Sequence, residues 1–327
     1  MKIYLGLTEN SSPRLTRVFG NIDGHLVDLH LAYAAYLSQL PLGHTNPYEL
    51  AAYYFPSTIA GFLEGKEPGL NALREVFSFV HRIGITEIHG PDGEKIVYDP
   101  REIRLLPPFP QPEKSFVMGF SDQARIEARP KTEIPTGFYK LPRTFVTTGS
   151  PIVLPKFSAE VDVDACLAIV IGKAGRRVLP ARAWEHVAGV TLLIDVTARD
   201  VQRREGVTNN NLLGKNFPSS TSLGPAMLLT PERKDLEAIE VNLAIDDSLE
   251  QKFTLRDGVF TIEQIISHWS ILGIKPGDLF AIGASMTLQG DRLQNPVPIK
   301  IGSQIRCFSP AIGELLHQVV SSEGRLR

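Results

Sequence analysis

A mixed α+β fold is predicted by this sequence, with a smaller mixed N-terminal domain over residues 1–110 and a β-rich, rolled or barrel-like domain over residues 111–327. Three observations predict it. The opening residues mix strand-like alternation with Ala- and Leu-rich helical stretches. A proline-dense run, Leu106-Pro107-Pro108-Phe109-Pro110-Gln111-Pro112, then breaks all periodicity and reads as a stiff connector. After it come many short apolar runs punctuated by Gly and Pro, which is the pattern of a rolled β core.

In the first domain, Lys2–Leu7 alternates like a strand. Arg17–Gly20 and His25–Asp28 read as two strands joined by the hairpin signal Asp23-Gly24. Leu29–Leu40, Ser57–Glu64 and Leu70–Ile83 read as helices, the last ended by Gly84. In the second domain, strands are expected at Ile152–Leu154, Cys166–Ile171, Val190–Ile194, Ala226–Leu229, Ile239–Ile245, Leu279–Ile282, Val297–Ile299 and Ile305–Phe308. Pro225 lacks an N–H, so the strand near it is expected to start after it. Helices are expected at Ala181–His186 and Ile262–Ser270, and no internal repeat stands out.

Composition narrows the function classes. The net charge is −2, from 34 basic and 36 acidic residues, and no Lys/Arg block is present, which argues against a nucleic-acid partner. No apolar stretch is long enough to cross a bilayer, and the opening residues lack the pattern of a signal peptide. Cys166 and Cys307 form no CxxC pair, which excludes a zinc ribbon or disulfide framework and fits a reducing, cytoplasmic setting.

Chemistry concentrates in the run from Ser158 to Lys173. In an extended chain Glu160, Asp162, Asp164 and Cys166 share one face. Like charges so placed repel. Either a divalent cation among them or exposure at a strand edge relieves this, and spacing alone leaves both open. Downstream, an apolar strand ends at Asp195 and leads into the polar turn Asp195-Val196-Thr197-Ala198-Arg199-Asp200-Val201-Gln202. Gly214-Lys215-Asn216-Phe217, Leu223-Gly224-Pro225, Pro276-Gly277-Asp278 and Gly283-Ala284 follow.

Together with Phe138-Tyr139-Lys140 and Leu167–Lys173, these segments in this order resemble the fumarylacetoacetate hydrolase superfamily, from about Phe116 to the end. The resemblance implies a catalytic domain of that type, a homodimer, and action on a small 2-oxo or β-diketo acid. The chemistry would be metal-assisted: an enolate held by Mg2+, with Mn2+ or Ca2+ as alternatives, during C–C hydrolysis, decarboxylation, hydration–dehydration or isomerisation. A non-catalytic ligand-binding relative, or a metal-independent lyase on the same fold, is the alternative.

By position, the family's two strand glutamates fall on Asp164 and Cys166, and its turn aspartate on Asp195. A thiol is a poor magnesium ligand, so Asp162 or Glu160 compensates, a softer metal binds, or the site holds metal weakly or not at all; Cys166 also reads as a small buried hydrophobe. Lys215 falls on the family's lysine beside the metal, though Pro218 replaces that segment's aspartate. Arg199, Gln202 and Lys140 fall on substrate-contacting positions, where an Arg fork suits a carboxylate. The family's histidine base falls on Ala124, leaving Asp122 or Glu127 as the expected base.

Overall fold

The structure is a computed structural model, and it describes residues 1–8, 15–41, 46–118, 133–207, 211–229, 233–283, 286–287, 290–291 and 296–323. The chain divides into two compact units, Met1–Phe109 and Pro110–Arg327, and the division falls inside the proline-dense run.

The first unit builds an antiparallel sheet from β1 (Lys2–Thr8), β2 (Arg17–Ile22), β3 (His25–Asp28), β4 (Val97–Tyr98) and β5 (Ile103–Leu106). Its order is β4-β3-β2-β1-β5. Asp23 and Gly24 both take positive φ, 49° and 86°, as the tight β2–β3 hairpin requires. Four helices follow: α1 (Leu29–Leu37), α2 (Pro47–Tyr54), α3 (Ile59–Glu64) and α4 (Lys66–Ile83). Each of the first three is started by a side chain that accepts a first-turn N–H: Asp28, Asn46 and Thr58. Gly84, at φ 98°, ends α4. Helix α2 was not expected; its Pro-Tyr-Glu-Leu start has the Asn cap and first-turn Pro of a helix but only one buried residue, Ala51.

The second unit is strand-rich, with two sheets and few helices. One sheet runs β12-β11-β10-β15-β6-β7, with β8 beside β12. Its members are β6 (Ser115–Met118), β7 (Gly137–Tyr139), β8 (Phe145–Val146), β10 (Val161–Ile171), β11 (Val187–Ala198), β12 (Thr221–Leu229) and β15 (Leu279–Gly283). The other, in order β14-β13-β18-β19-β9, comprises β9 (Ile152–Leu154), β13 (Val241–Ile245), β14 (Ser248–Phe253), β18 (Gln304–Ser309) and β19 (Gly313–Ser321). Met286–Thr287 and Gly290–Asp291 form a small separate pair, β16 and β17. The sheets pack on each other through β10 with β13, β11 with β18 and β12 with β19. Strand β10 is buried along all its length, and β11 along nearly all.

The structure departs from three expectations. β12 runs straight through Pro225, whose peptide bond to Gly224 is cis; the β11 ladder shifts register between Val190 and Leu192, so the missing N–H falls in a bulge. Val297–Ile299 is no strand, and the Ile299 N–H bonds the Val161 carbonyl at 2.8 Å. The polar turn after Asp195 is the last residues of β11 followed by a helix, Arg199–Gly206.

Candidate functional site

Register brings the acidic residues together. In the β10–β11 ladder, Asp164 lies opposite Asp195, Asp162 opposite Thr197 and Cys166 opposite Leu193. Cross-strand partners share a face, so Asp162, Asp164, Cys166, Asp195 and Thr197 form one polar face inside the domain. Thr221 of β12 extends it beside Asp195, and Gly283 of β15 borders it beside Cys166. Glu160 precedes the strand and pairs instead with Arg203 at 2.6 Å, half-exposed.

Three cations cover the carboxylates. Lys215 sits at the end of a short 3-10 turn, Leu213–Lys215, whose N–H groups at Leu213 and Gly214 bond Glu205. Gly214 is needed for this approach, because a Cβ there would lie 2.9 Å from the Gln202 nitrogen. The Lys215 Nζ donates to Asp195 Oδ2 and Thr197 Oγ1, each at 2.6 Å, and lies 4.6 Å from the Phe138 ring centroid. Lys140, 0% exposed, donates to the other Asp195 oxygen at 2.8 Å, to the Ser220 carbonyl at 3.1 Å, and to the Lys215 carbonyl. Arg199 opens its helix on the same face. Its Nε donates to Asp162 at 3.2 Å, Nη2 to Asp164 at 2.6 Å and Nη1 to Gln202 at 3.1 Å.

The second sheet adds one side chain. Gly283 of β15 lies opposite Cys166. The next β10 N–H, of Ala165, donates to Gln251 Oε1 at 2.8 Å, while Gln251 Nε2 donates to Asp164 at 3.2 Å.

Burial shapes the titration of these groups. It would weaken the Arg199 charge, but Asp164 and Asp162 beside it hold its pKa above the ordinary value. Burial lowers the Lys140 pKa, and Asp195 opposes that. The Cys166 thiol is pushed well above its usual range by burial first, then by Asp195 and Asp164. It is a neutral group at pH 7.

The structure therefore places Lys140, Asp162, Asp164, Cys166, Asp195, Arg199, Gln202 and Lys215 around one face. Asp122 and Glu127 lie outside the described residues. Thr197 and Gln251 were not anticipated. Strand alternation from Asp195 gives a signal for Thr197; none in the sequence marks Gln251.

A family model, fumarylacetoacetate (FAA) hydrolase C-terminal, matches residues 117–320, most of the second unit. The chain belongs to the fumarylacetoacetate hydrolase family. The chain is 32% identical to the oxaloacetate tautomerase fahd2, mitochondrial, of Xenopus laevis over 232 residues, covering 70% of this chain and 72% of that one. It is 30% identical to the oxaloacetate tautomerase FAHD2B, mitochondrial, of Bos taurus over 269 residues, covering 81% and 80%. Among solved structures, the maleylpyruvate hydrolase from Sphingobium sp. SYK-6 in complex with manganese(II) ion and pyruvate shares the fold, with TM-score 0.67 over 98% of this chain and 99% of that one, at 19% identity.

The metal positions expected from the resemblance gather on this fumarylacetoacetate hydrolase face, but their donor set does not suit a hard divalent cation. Both Asp195 oxygens accept from lysine ammonium groups. Asp164 accepts from Arg199 and Gln251, and Asp162 from Arg199 and the Val163 N–H. The remaining position is the buried thiol of Cys166, a soft donor. Among the described residues, no group of three or more His, Cys, Asp or Glu side chains has the arrangement of a metal site.

Proposed function

We propose that this chain is an enzyme that moves a proton on a small 2-oxo acid, interconverting keto and enol forms of a 2-oxo dicarboxylate. The observation that carries the reading is the pair of buried cations, Lys215 and Arg199, pinned by Asp195, Thr197, Asp162 and Asp164 on one interior face. When a proton leaves the carbon next to an oxo group, negative charge collects on the oxo oxygen. Fixed positive groups in a low-dielectric site oppose that charge without having to reorganise. Lys140 contributes from behind. Its ammonium is saturated by Asp195 and two carbonyls, so it positions Asp195, and through it Lys215, without touching substrate. Asp164 and Gln202 are the least buried polar members of the face, which makes their side the approach for a carboxylate toward Arg199. Asp122 and Glu127 remain the expected proton acceptors. The relatives' oxaloacetate tautomerase names supply the substrate class, and they favour isomerisation over C–C hydrolysis, decarboxylation or dehydration.

The test follows the ultraviolet absorbance of enol oxaloacetate as it relaxes to the keto form, with and without the protein. Acceleration that Lys215→Ala abolishes supports the reading. A wild-type protein that leaves the uncatalysed rate unchanged sinks it.

A further inference from the structure

Among the described residues, the carboxylates of this face are matched by the chain's own cations: Asp162, Asp164 and Asp195 carry three negative charges, and Lys140, Arg199 and Lys215 carry three positive ones within hydrogen-bond reach. A divalent cation added here would leave a buried excess of two positive charges among the described residues and would have to share its carboxylate oxygens with ammonium and guanidinium donors. Magnesium binding also calls for about six oxygen ligands. The position that could tip the balance is Cys166. It lies beside Asp164 on the strand and diagonal to Asp195, and it is 1% exposed. Opposite it, Gly283 has no Cβ: one built there would come within 2.5 Å of the Cys166 sulfur. The thiol fills that gap tightly.

We propose that the resting protein holds no resident divalent cation, because Lys140, Arg199 and Lys215 serve as built-in counter-charges and Cys166 withholds the carboxylate that a metal would need. The enolate of a substrate then meets ammonium and guanidinium charge directly. This inference rests on the same face as the proposed function but not on which substrate it takes.

The experiment uses the full chain, dialysed against a chelator and then equilibrated with millimolar MgCl2 or MnCl2. It reads bound metal by elemental analysis and stability by thermal melting. Wild type is expected to retain far less than one ion per chain and to melt within about 1 °C of its metal-free value. Cys166→Glu restores a carboxylate over Gly283 and should gain about one ion and roughly 5 °C with manganese. Lys215→Met frees one Asp195 oxygen and leaves a net negative charge, so it should gain a smaller rise. It also carries the test if Cys166→Glu shows no cooperative melt. Stoichiometric metal in wild type overturns the proposal. A folded Cys166→Glu without added metal affinity overturns the role of Cys166, and a folded Lys215→Met without any gain overturns the counter-charge argument. Chelation separates this inference from the functional one. Enol relaxation that is lost with chelator and restored by manganese refutes the metal-free site while upholding the enzyme. A protein that binds no metal and accelerates nothing does the reverse.

Discussion

Replacing Lys140 with Met tests the cluster at its most buried point. The two side chains have similar length, so the aliphatic path to Asp195 stays filled and the charge alone is lost. The three acceptors fare differently. The Ser220 carbonyl keeps the Val196 N–H at 2.9 Å, and the Lys215 carbonyl keeps the Ser220 hydroxyl at 3.0 Å. Asp195 keeps Lys215 on Oδ2 but loses the Lys140 ammonium on Oδ1. Removing one partner of a buried ion pair costs about 3–5 kcal/mol, and the surviving Lys215 contact puts this case near ~3 kcal/mol. Urea unfolding is the assay, followed by the fluorescence of Trp184 and Trp269, both in the second unit. With a slope of about 2–3 kcal/mol per molar urea, the midpoint should fall by about 1 M. A fall below roughly 0.3 M, like that of a surface lysine replacement, would mean that Asp195 does not depend on Lys140 and that the charge balance of the face is wrong.

Lys215→Ala should lower turnover by about 100-fold or more while leaving the far-ultraviolet circular dichroism unchanged, which steady-state kinetics on a 2-oxo acid and a spectrum check together. Gly283→Ala would set a Cβ 2.5 Å from the Cys166 sulfur and 2.8 Å from the Ala165 carbonyl, so it should destabilise by about 1–3 kcal/mol in urea melts. Asp28 is buried, and burial raises its carboxyl to about 6 against the opposing Leu31 N–H and Arg17. The native state therefore binds more protons than the unfolded one between about pH 4 and 6, so stability falls as pH rises through that window and is level above it. Hydrogen exchange of the α1 amides should report that slope in wild type and lose it in Asp28→Asn. Light scattering is expected to find a homodimer at micromolar concentration, the commonest closed assembly; monomer alone would remove that expectation.

Hydropathy located the longer apolar strands, because apolar runs fix which backbone is buried, but the short strands β4–β8 gave too little pattern to read. His25–Asp28 and Ile152–Leu154 have the expected bounds. Errors cluster where polar residues enter regular structure. β10 begins at Val161, five residues ahead of its apolar half, since Asp162 and Asp164 disguise it; Arg199 and Gln251 are what let those aspartates lie inside a sheet. The helix Arg199–Gly206 has only Arg199 and Val201 buried, so it shows no apolar stripe to read. β19 was missed for a related reason: its alternation includes His317, buried through bonds to Ser222 and the Ser150 carbonyl that only the fold reveals. Alternation did place Asp162, Asp164 and Cys166 on one face. The arrival of Lys140, which is 55 residues from Asp195, follows from no spacing and was legible only through family resemblance.

The face is laid out like a grid. Cys166, Leu193 and Leu223 form one row across three strands, Asp164, Asp195 and Thr221 the next, and Asp162 with Thr197 a third. Neighbouring squares sit about 5 Å apart, and the ladder fixes that pitch. A loop-borne site can be reshaped by lengthening or bending the loop. Here an insertion would flip every later side chain to the opposite surface of the sheet. Redesign of this site for another acid is thus a problem of substitution at a few fixed squares, small enough for a combinatorial library to exhaust.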